Sequence, residues 1–270
     1  LTLSQAPEDK AVGWTADREG QKRMSQSFQL IEGLPDAWEN LGVAELRGLA
    51  SLWVQQKDNL DGPSLKEFTD RLKRQFSIET GILENLYSLD RGVTDTLIQQ
   101  GLHAALIPDS QRSSGNQIAL ILQDHQSSMD GIYDFVGTTR ELSTSYIKEL
   151  HALLTRHQTH VDGRNQYGEP QKVELLRGEF KRLPNNPTKQ DGNVHFYCPP
   201  EHVGSEMDRL IELYHQYEDV YPEVLAAWLH HRFTQIHPFQ DGNGRVARCL
   251  ANLVLIKAGW LPLAILRDQR

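Results

Sequence analysis

Cysteine is nearly missing from this 270-residue sequence: Cys198 and Cys249 are the only two, and they form no C-x-x-C pair. Two cysteines are too few for a disulfide framework, so a disulfide scaffold is excluded and a reducing compartment, the cytoplasm, is expected. A basic surplus is missing as well. Lys and Arg number 28 against 36 Asp and Glu, a formal net charge of −8 with a pI near 5.8. That balance argues against nucleic acid as a partner drawn in by overall charge, although it leaves room for a local basic pocket. No run of about 18 apolar residues occurs, so no membrane partner or span is expected. Repeats and low-complexity tracts are absent, which excludes a repeat array. An initiating Met is lacking too. The start at Leu1 reads as a trimmed end, so the want of a signal peptide carries little weight, and a further domain beyond Arg270 stays open.

What is present is ordinary for a soluble globular chain, 39% hydrophobic and 24% charged, with length for one large domain or two small ones. Residues 1–34 are polar and mixed, an arm expected to dock elsewhere. The row Trp38, Leu41, Leu46, Leu49, Leu52 and Trp53 predicts a helix over 37–57. Asp61-Gly62-Pro63 breaks it, and Pro63 suits the first turn of a helix running through Leu65, Phe68, Leu72 and Phe76. A short helical piece follows from Thr80 to Tyr87, then a break at Asp90-Arg91-Gly92. Further helices are predicted over 117–135 and 143–156. Between about Val161 and Pro200 the chain turns rich in Gly, Pro and Asn, with Asp191-Gly192-Asn193 as turn chemistry and His195–Tyr197 as a short strand, which together predict a hairpin or irregular flap. Helical periodicity returns at Val203, Met207, Leu210, Ile211 and Tyr214. Pro222 then opens a helix with Leu225, Trp228, Leu229, Phe233 and Ile236 as its buried row, and Val246, Leu250, Leu253 and Val254 stripe the last helix. The fold class expected is mainly α with one small β element.

The loop between those last two helices, His237-Pro-Phe-Gln-Asp-Gly-Asn-Gly-Arg-Val-Ala-Arg248, carries chemistry. Pro238 disfavours a right-handed helical conformation at His237 and so sets that side chain at a helix exit. Gly242-Asn243-Gly244 permits positive φ and turns backbone N–H groups inward, directly before a helix N-terminus, which makes a phosphate site. Arg245 and Arg248 lie one turn apart on the same side. Two guanidiniums there oppose the helix dipole unless a polyphosphate supplies negative charge. Asp241 would repel that phosphate unless a divalent cation such as Mg²⁺ bridged them. His237 has the pKa of a general base near neutrality, and Phe239 is expected to plug the loop into the core. A lone Gly-Asn-Gly is usually a turn, a lone His at a helix end usually a cap, and a lone Arg usually a solvated face. The whole string is what is specific, and it describes phosphoryl-type transfer.

This string resembles the motif HPFx(D/E)GNGRxxR of the Fic family, matched at His237, Pro238, Phe239, Asp241, Gly242, Asn243, Gly244, Arg245 and Arg248. Nine specified positions, each met by chance about one time in twenty, leave coincidence negligible. The resemblance covers roughly residues 117–263 and implies a Fic-fold helical core with a β-hairpin flap, set over 111–270, after an N-terminal helical region over 1–110. It implies a protein adenylyltransferase that moves AMP from ATP to a Ser, Thr or Tyr hydroxyl of a protein substrate, with Mg²⁺. By position, His237 would take the hydroxyl proton and Asp241 would hold the metal. Gly242, Asn243 and Gly244 would cradle the α-phosphate, Arg245 would grip the β and γ phosphates, and Arg248 the γ. The flap, within 178–197, would pin the target segment by strand pairing. Gly242 and Arg245 depart from the Doc-type toxins, which have Ala and Lys there and phosphorylate instead.

Many Fic proteins also carry an inhibitory helix, (S/T)xxxE(G/N), whose Glu pairs with the second motif Arg. Thr80-Gly-Ile-Leu-Glu84-Asn85 fits, as does Thr15-Ala-Asp-Arg-Glu19-Gly20. The former is preferred because Ile82, Leu83 and Leu86 can pack it, within a candidate inhibitory helix over 80–87. The plain alternative is that Glu84 is a surface acid. De-AMPylation, phosphocholine transfer, a homodimer, and a regulatory module with a silent Fic core all stay open. A metallohydrolase using His230, His231, His237 and Asp241 is disfavoured, because adjacent histidines on a helix point apart.

Overall fold

Leu225, Trp228, Leu229, Phe233 and Ile236 line one face of helix α7 (Pro222–Ile236), and all five are buried. Their partners Val246, Leu250, Leu253 and Val254 are buried on helix α8 (Asn243–Lys257), which packs along α7 more extensively than any other helix pair. Helices α4 (Arg112–Val136), α5 (Thr144–Leu154) and α6 (Val203–Gln216) close around this pair through Met129, Ile132, Ile147, Leu150, Met207 and Leu210. At roughly 1.5–3 kcal/mol for each large apolar side chain removed from water, this core dominates what holds the loop between α7 and α8 in place. The computed structural model describes residues 14–16, 22–24, 28–108, 112–164, 169–217 and 219–266. The protein is mainly helical with a small hairpin, as its sequence predicts. No helix among the described residues is long and apolar enough to cross a membrane.

The N-terminal helices are α1 (Ala44–Lys57), α2 (Gly62–Leu83) and α3 (Arg91–Gln100). Asp61 caps α2, its Oδ1 accepting the Ser64 N–H at 2.7 Å, with Pro63 in the first turn. The two helical pieces predicted here are in fact one helix, because nothing between Phe76 and Thr80 interrupts its hydrogen bonds and the turn from Phe76 to Gly81 is buried. The exit comes later. Glu84 is the C-cap, Asn85 takes a left-handed φ of 55°, and the N–H of Leu86 returns to the Gly81 carbonyl at 3.0 Å. Tyr87 then folds back and donates its hydroxyl to the carbonyls of Ser77 (3.1 Å) and Ile78 (3.2 Å). A Cβ on Gly81 would overlap that hydroxyl, so the close approach requires glycine. A second apolar cluster of Ile78, Tyr87, Leu89, Leu97, Ile107 and Leu122 ties α2, α3 and α4 together. The expected boundary between residues 110 and 111 lies outside the described residues.

Three other expectations are corrected. The helix over 37–57 splits into a 3-10 turn, Trp38–Leu41, and α1, because Gly42 and Val43 are extended. Its leucines Leu46, Leu49 and Leu52 are exposed, Leu46 and Leu49 bordering an open apolar groove shared with α7, α8 and the segment near Trp260. His195–Tyr197 is not a strand. The antiparallel hairpin is β3 (His160–Arg164) with β4 (Pro170–Glu174), His160 facing Glu174. The later segment makes one bridge, Thr188 to Val194, around Asp191-Gly192-Asn193, and the Tyr197 N–H bonds the Asn186 side chain instead of a ladder partner. The polar arm does dock over residues 28–34. Ile31 is fully buried with its N–H on Glu206, and Trp228 donates to the Glu32 carbonyl. Before it are described only the short strands β1 (Trp14–Ala16) and β2 (Lys22–Met24), which pair. Most of the competing Thr15–Gly20 pattern lies outside the described residues.

Candidate active site

His237 ends α7 in the left-handed region, φ 54° and ψ 58°, with its N–H on the Phe233 carbonyl at 2.9 Å. A non-glycine residue held there marks a place where the surroundings overrule local preference. Several contacts do the holding. Phe239 is fully buried as expected, stacked on His151 at 3.8 Å and set against Phe180 and Phe233. Asn243 clamps the loop, its Oδ1 accepting the Phe239 N–H and its Nδ2 donating to the Phe239 carbonyl, both at 2.8 Å. The Asn243 side chain is therefore committed to closing the loop, and its backbone N–H is what it can offer to a phosphate. Gly242 takes φ 78° as the N-cap of α8, and no side chain caps the helix. The first-turn N–H groups of α8 are thus left for another acceptor.

Arg245 is 1% exposed. Its guanidinium donates to Gln158 Oε1 at 2.6 Å, and at 3.4 Å to the Leu154 carbonyl and to Asp241 Oδ2. Its Nε has no partner among the described residues. Asp241, with its side chain 36% exposed, also accepts from Gln158 Nε2 at 2.5 Å. Arg248 faces the other way. It donates to Glu84 Oε1 at 2.5 Å, and its Nε bonds Thr80 Oγ1 at 2.7 Å. Glu84 sits so close to the α8 N-terminus that a Cβ on Gly244 would overlap its carboxylate. The structure thus brings Glu84 to the same helix end as Gly244 and Arg248, while Asp241 and Arg245 pair one turn away. His230 lines the apolar groove together with Arg248.

Burial sets the electrostatics. It pushes the His237 imidazole down to about 4, helped by the positive charge of Lys181, while the Thr234 backbone and Asp241 pull upward. His237 is therefore neutral at pH 7 and able to accept a proton. His151, stacked beneath the loop and bonded through Nε2 to the Asp241 backbone carbonyl at 3.0 Å, is held at about 4, chiefly by burial. Lys181 is 4% exposed and pushed down to about 8 by burial. It donates to Asn185 Oδ1, its backbone N–H bonds the Pro238 carbonyl, and Asn185 in turn donates to the Phe239 carbonyl at 2.8 Å.

The segment predicted as a flap meets the loop directly: Tyr197 stacks on the His237 ring at 3.7 Å and 11°. Tyr197, Lys181, Asn185 and Gln158 were not foreseen as site residues. Each lies 40 to 87 positions before the loop residue it touches, in stretches without periodicity, and no local signal separates Gln158 from a surface glutamine. Among the described residues no three His, Cys, Asp or Glu side chains gather as a metal cluster. A cation at Asp241 would take its remaining ligands from phosphate and water, which suits Mg²⁺.

A family model described as the Fic/DOC family matches residues 141–255. A Fido domain-containing protein of Dictyostelium discoideum is 45% identical over 77 residues, covering 27% of this chain and 54% of that protein. The protein adenylyltransferase Fic of Drosophila persimilis is 30% identical over 135 residues, covering 48% of this chain and 22% of its own length. The chain thus spans about half of one curated relative and less than a quarter of the other. The crystal structure of a Fic domain containing signaling protein from Bacteroides thetaiotaomicron is similar with a TM-score of 0.66 and 27% identity, over 83% of this chain and 76% of that one.

Proposed function

Because this chain belongs to the Fic/DOC family, we propose that it is a protein adenylyltransferase, moving AMP from ATP to a hydroxyl side chain of a protein substrate. The observation that carries the reading is the uncapped N-terminus of α8, flanked by buried Arg245 with an orphaned Nε and by Arg248. Such an end is built for a polyphosphate. Neutral His237 takes the proton from the attacking hydroxyl. As the oxygen bonds the α-phosphorus, the bond to the β-phosphate breaks and pyrophosphate leaves. The first-turn N–H groups of Asn243 and Gly244 stabilise the charge gathering on the α-phosphoryl oxygens, where preorganised donors count most. Arg245 neutralises the leaving phosphates. Asp241 would hold Mg²⁺, which supplies charge neutralisation on the phosphates when bound.

Glu84 makes the site self-limiting in this proposal, the N-terminal helical region regulating the core that follows. Its carboxylate occupies the α8 cradle and engages the guanidinium that a γ-phosphate would need. A charge-assisted bond of this kind is worth about 1.5–3 kcal/mol, roughly a 10- to 150-fold bias, enough to silence the site yet within reach of a competing triphosphate. Mass spectrometry after incubation with ATP, Mg²⁺ and a protein extract tests the reading. AMP adducts on this chain or on extract proteins are expected from the Glu84→Gly variant and not from Glu84→Gly combined with His237→Ala. Adducts that persist without His237, or none from a folded Glu84→Gly chain, would overturn it.

A further inference from the structure

We infer that Gln158, outside the motif, is a positioning residue that keeps the contact of Asp241 with Arg245 long and the two aligned, so that Asp241 can hold a cation beside the phosphates. This deepens the adenylyltransferase reading and rests on it. A buried guanidinium four residues from an acid on the same helix approach would ordinarily collapse onto it as a close ion pair. Here it does not. The shortest bond of Arg245 goes to a neutral acceptor, Gln158 Oε1 at 2.6 Å, while the Asp241 carboxylate waits at 3.4 Å. The other end of the same amide donates to Asp241 Oδ2 at 2.5 Å. Only a group carrying both a donor and an acceptor can serve an acid and a guanidinium at once. A Glu at 158 would repel Asp241, and a Lys would repel Arg245.

The amide is held from behind. Gln158 follows α5 in a turn whose neighbour His157 is tied by its N–H and its Nδ1 to Asp124, a carboxylate 2% exposed on α4. Gln117 on the same helix donates to the His157 carbonyl at 2.6 Å. The Gln158 N–H closes on the Thr155 carbonyl at 2.9 Å. An arrangement anchored this deeply, beside the contacts that His151 and Leu154 make with the same loop, serves the orientation of the two charged side chains. Partners of this kind behind a metal-holding carboxylate typically change metal affinity or activity by about 10- to 100-fold when removed.

Without Gln158, the 3.4 Å pair of Asp241 and Arg245 is expected to tighten and withdraw the carboxylate. Calorimetric titration of ATP with and without Mg²⁺, on the Glu84→Gly chain carrying Gln158→Leu or the shorter Gln158→Asn, tests this. The expected result is a rise of about tenfold or more in the Mg²⁺ concentration that half-saturates ATP binding, with binding in the absence of Mg²⁺ weakened less. Near-native thermal unfolding of Gln158→Asn separates this from a loss of fold. The inference is overturned if both variants fold and keep the parental Mg²⁺ dependence, or if binding with and without Mg²⁺ falls equally. The readout is binding rather than transfer, so a chain that binds Mg²⁺ and ATP as predicted yet transfers no AMP would sink the adenylyltransferase reading and leave the role of Gln158 standing.

Discussion

The Glu84 carboxylate fills the space beside Gly244 at the start of α8, and in the proposed reading single residues there decide activity. Removing the carboxylate with Glu84→Gly is expected to raise AMP incorporation by about 10- to 150-fold, the bias of the bond it removes, read with labelled ATP. Gly244→Ala works in the opposite sense. Its backbone is helical and tolerates alanine, but the added methyl occupies the space now filled by the Glu84 carboxylate. Transfer should therefore stay low in Gly244→Ala even when combined with Glu84→Gly, and recovery to the level of Glu84→Gly alone would show that this volume is not where phosphate sits. At this scale the contact of Glu84 with Arg248 was legible, because a spacing pattern names the pair. Gln158 was not, because its partners lie 83 and 87 residues away.

One element, the C-terminal turn of α2, delivers Glu84, and its geometry depends on Asn85. The left-handed conformation at Asn85 explains why the inhibitory pattern ends in Gly or Asn: a β-branched residue there costs about 1–2 kcal/mol. Asn85→Gly should keep both stability and low basal activity. Asn85→Val should lower the unfolding midpoint in urea and raise basal AMP incorporation, as the turn rearranges and Glu84 leaves Arg248. A stable Asn85→Val chain with unchanged activity would mean that Glu84 is held by something other than the helix exit. The pattern's Thr80 is equally physical, since its hydroxyl receives Arg248 Nε. Element types were mostly readable from periodicity. The join of two predicted pieces into one α2 was not, because burial of residues 76–81 against the rest of the protein carries the helix through.

Among the described residues, His125 and His151 are buried and His237 is half-buried, and all three are held in their neutral form. Burial holds His125 at about 3, and His151 and His237 at about 4. Unfolded, each would titrate near 6.5, so between roughly pH 6.5 and 4 the unfolded chain binds more protons than the folded one. Stability must then rise with pH across that window and fall as the solution is acidified through it. Urea midpoints should be markedly lower at pH 5 than at pH 7.5. His125→Asn should flatten part of that slope, since His125 bonds the Ser77 carbonyl beneath α2. A midpoint independent of pH between 7.5 and 5 would mean that these rings are solvated or already charged.

The α7 and α8 stripes, the loop from His237 to Arg248 and the pairing of Glu84 with Arg248 were set by sequence alone, because helical periodicity and short spacing patterns are local properties. Tertiary structure alone decided which partners surround that loop. It set Tyr197 against His237, spent the Asn243 side chain on closing the loop, left the α1 leucines in the open and placed Gln158 between Asp241 and Arg245. The physical reason is that hydrogen bonding and stacking between residues distant in the chain leave no periodic trace along it, and burial depends on what the rest of the fold puts opposite.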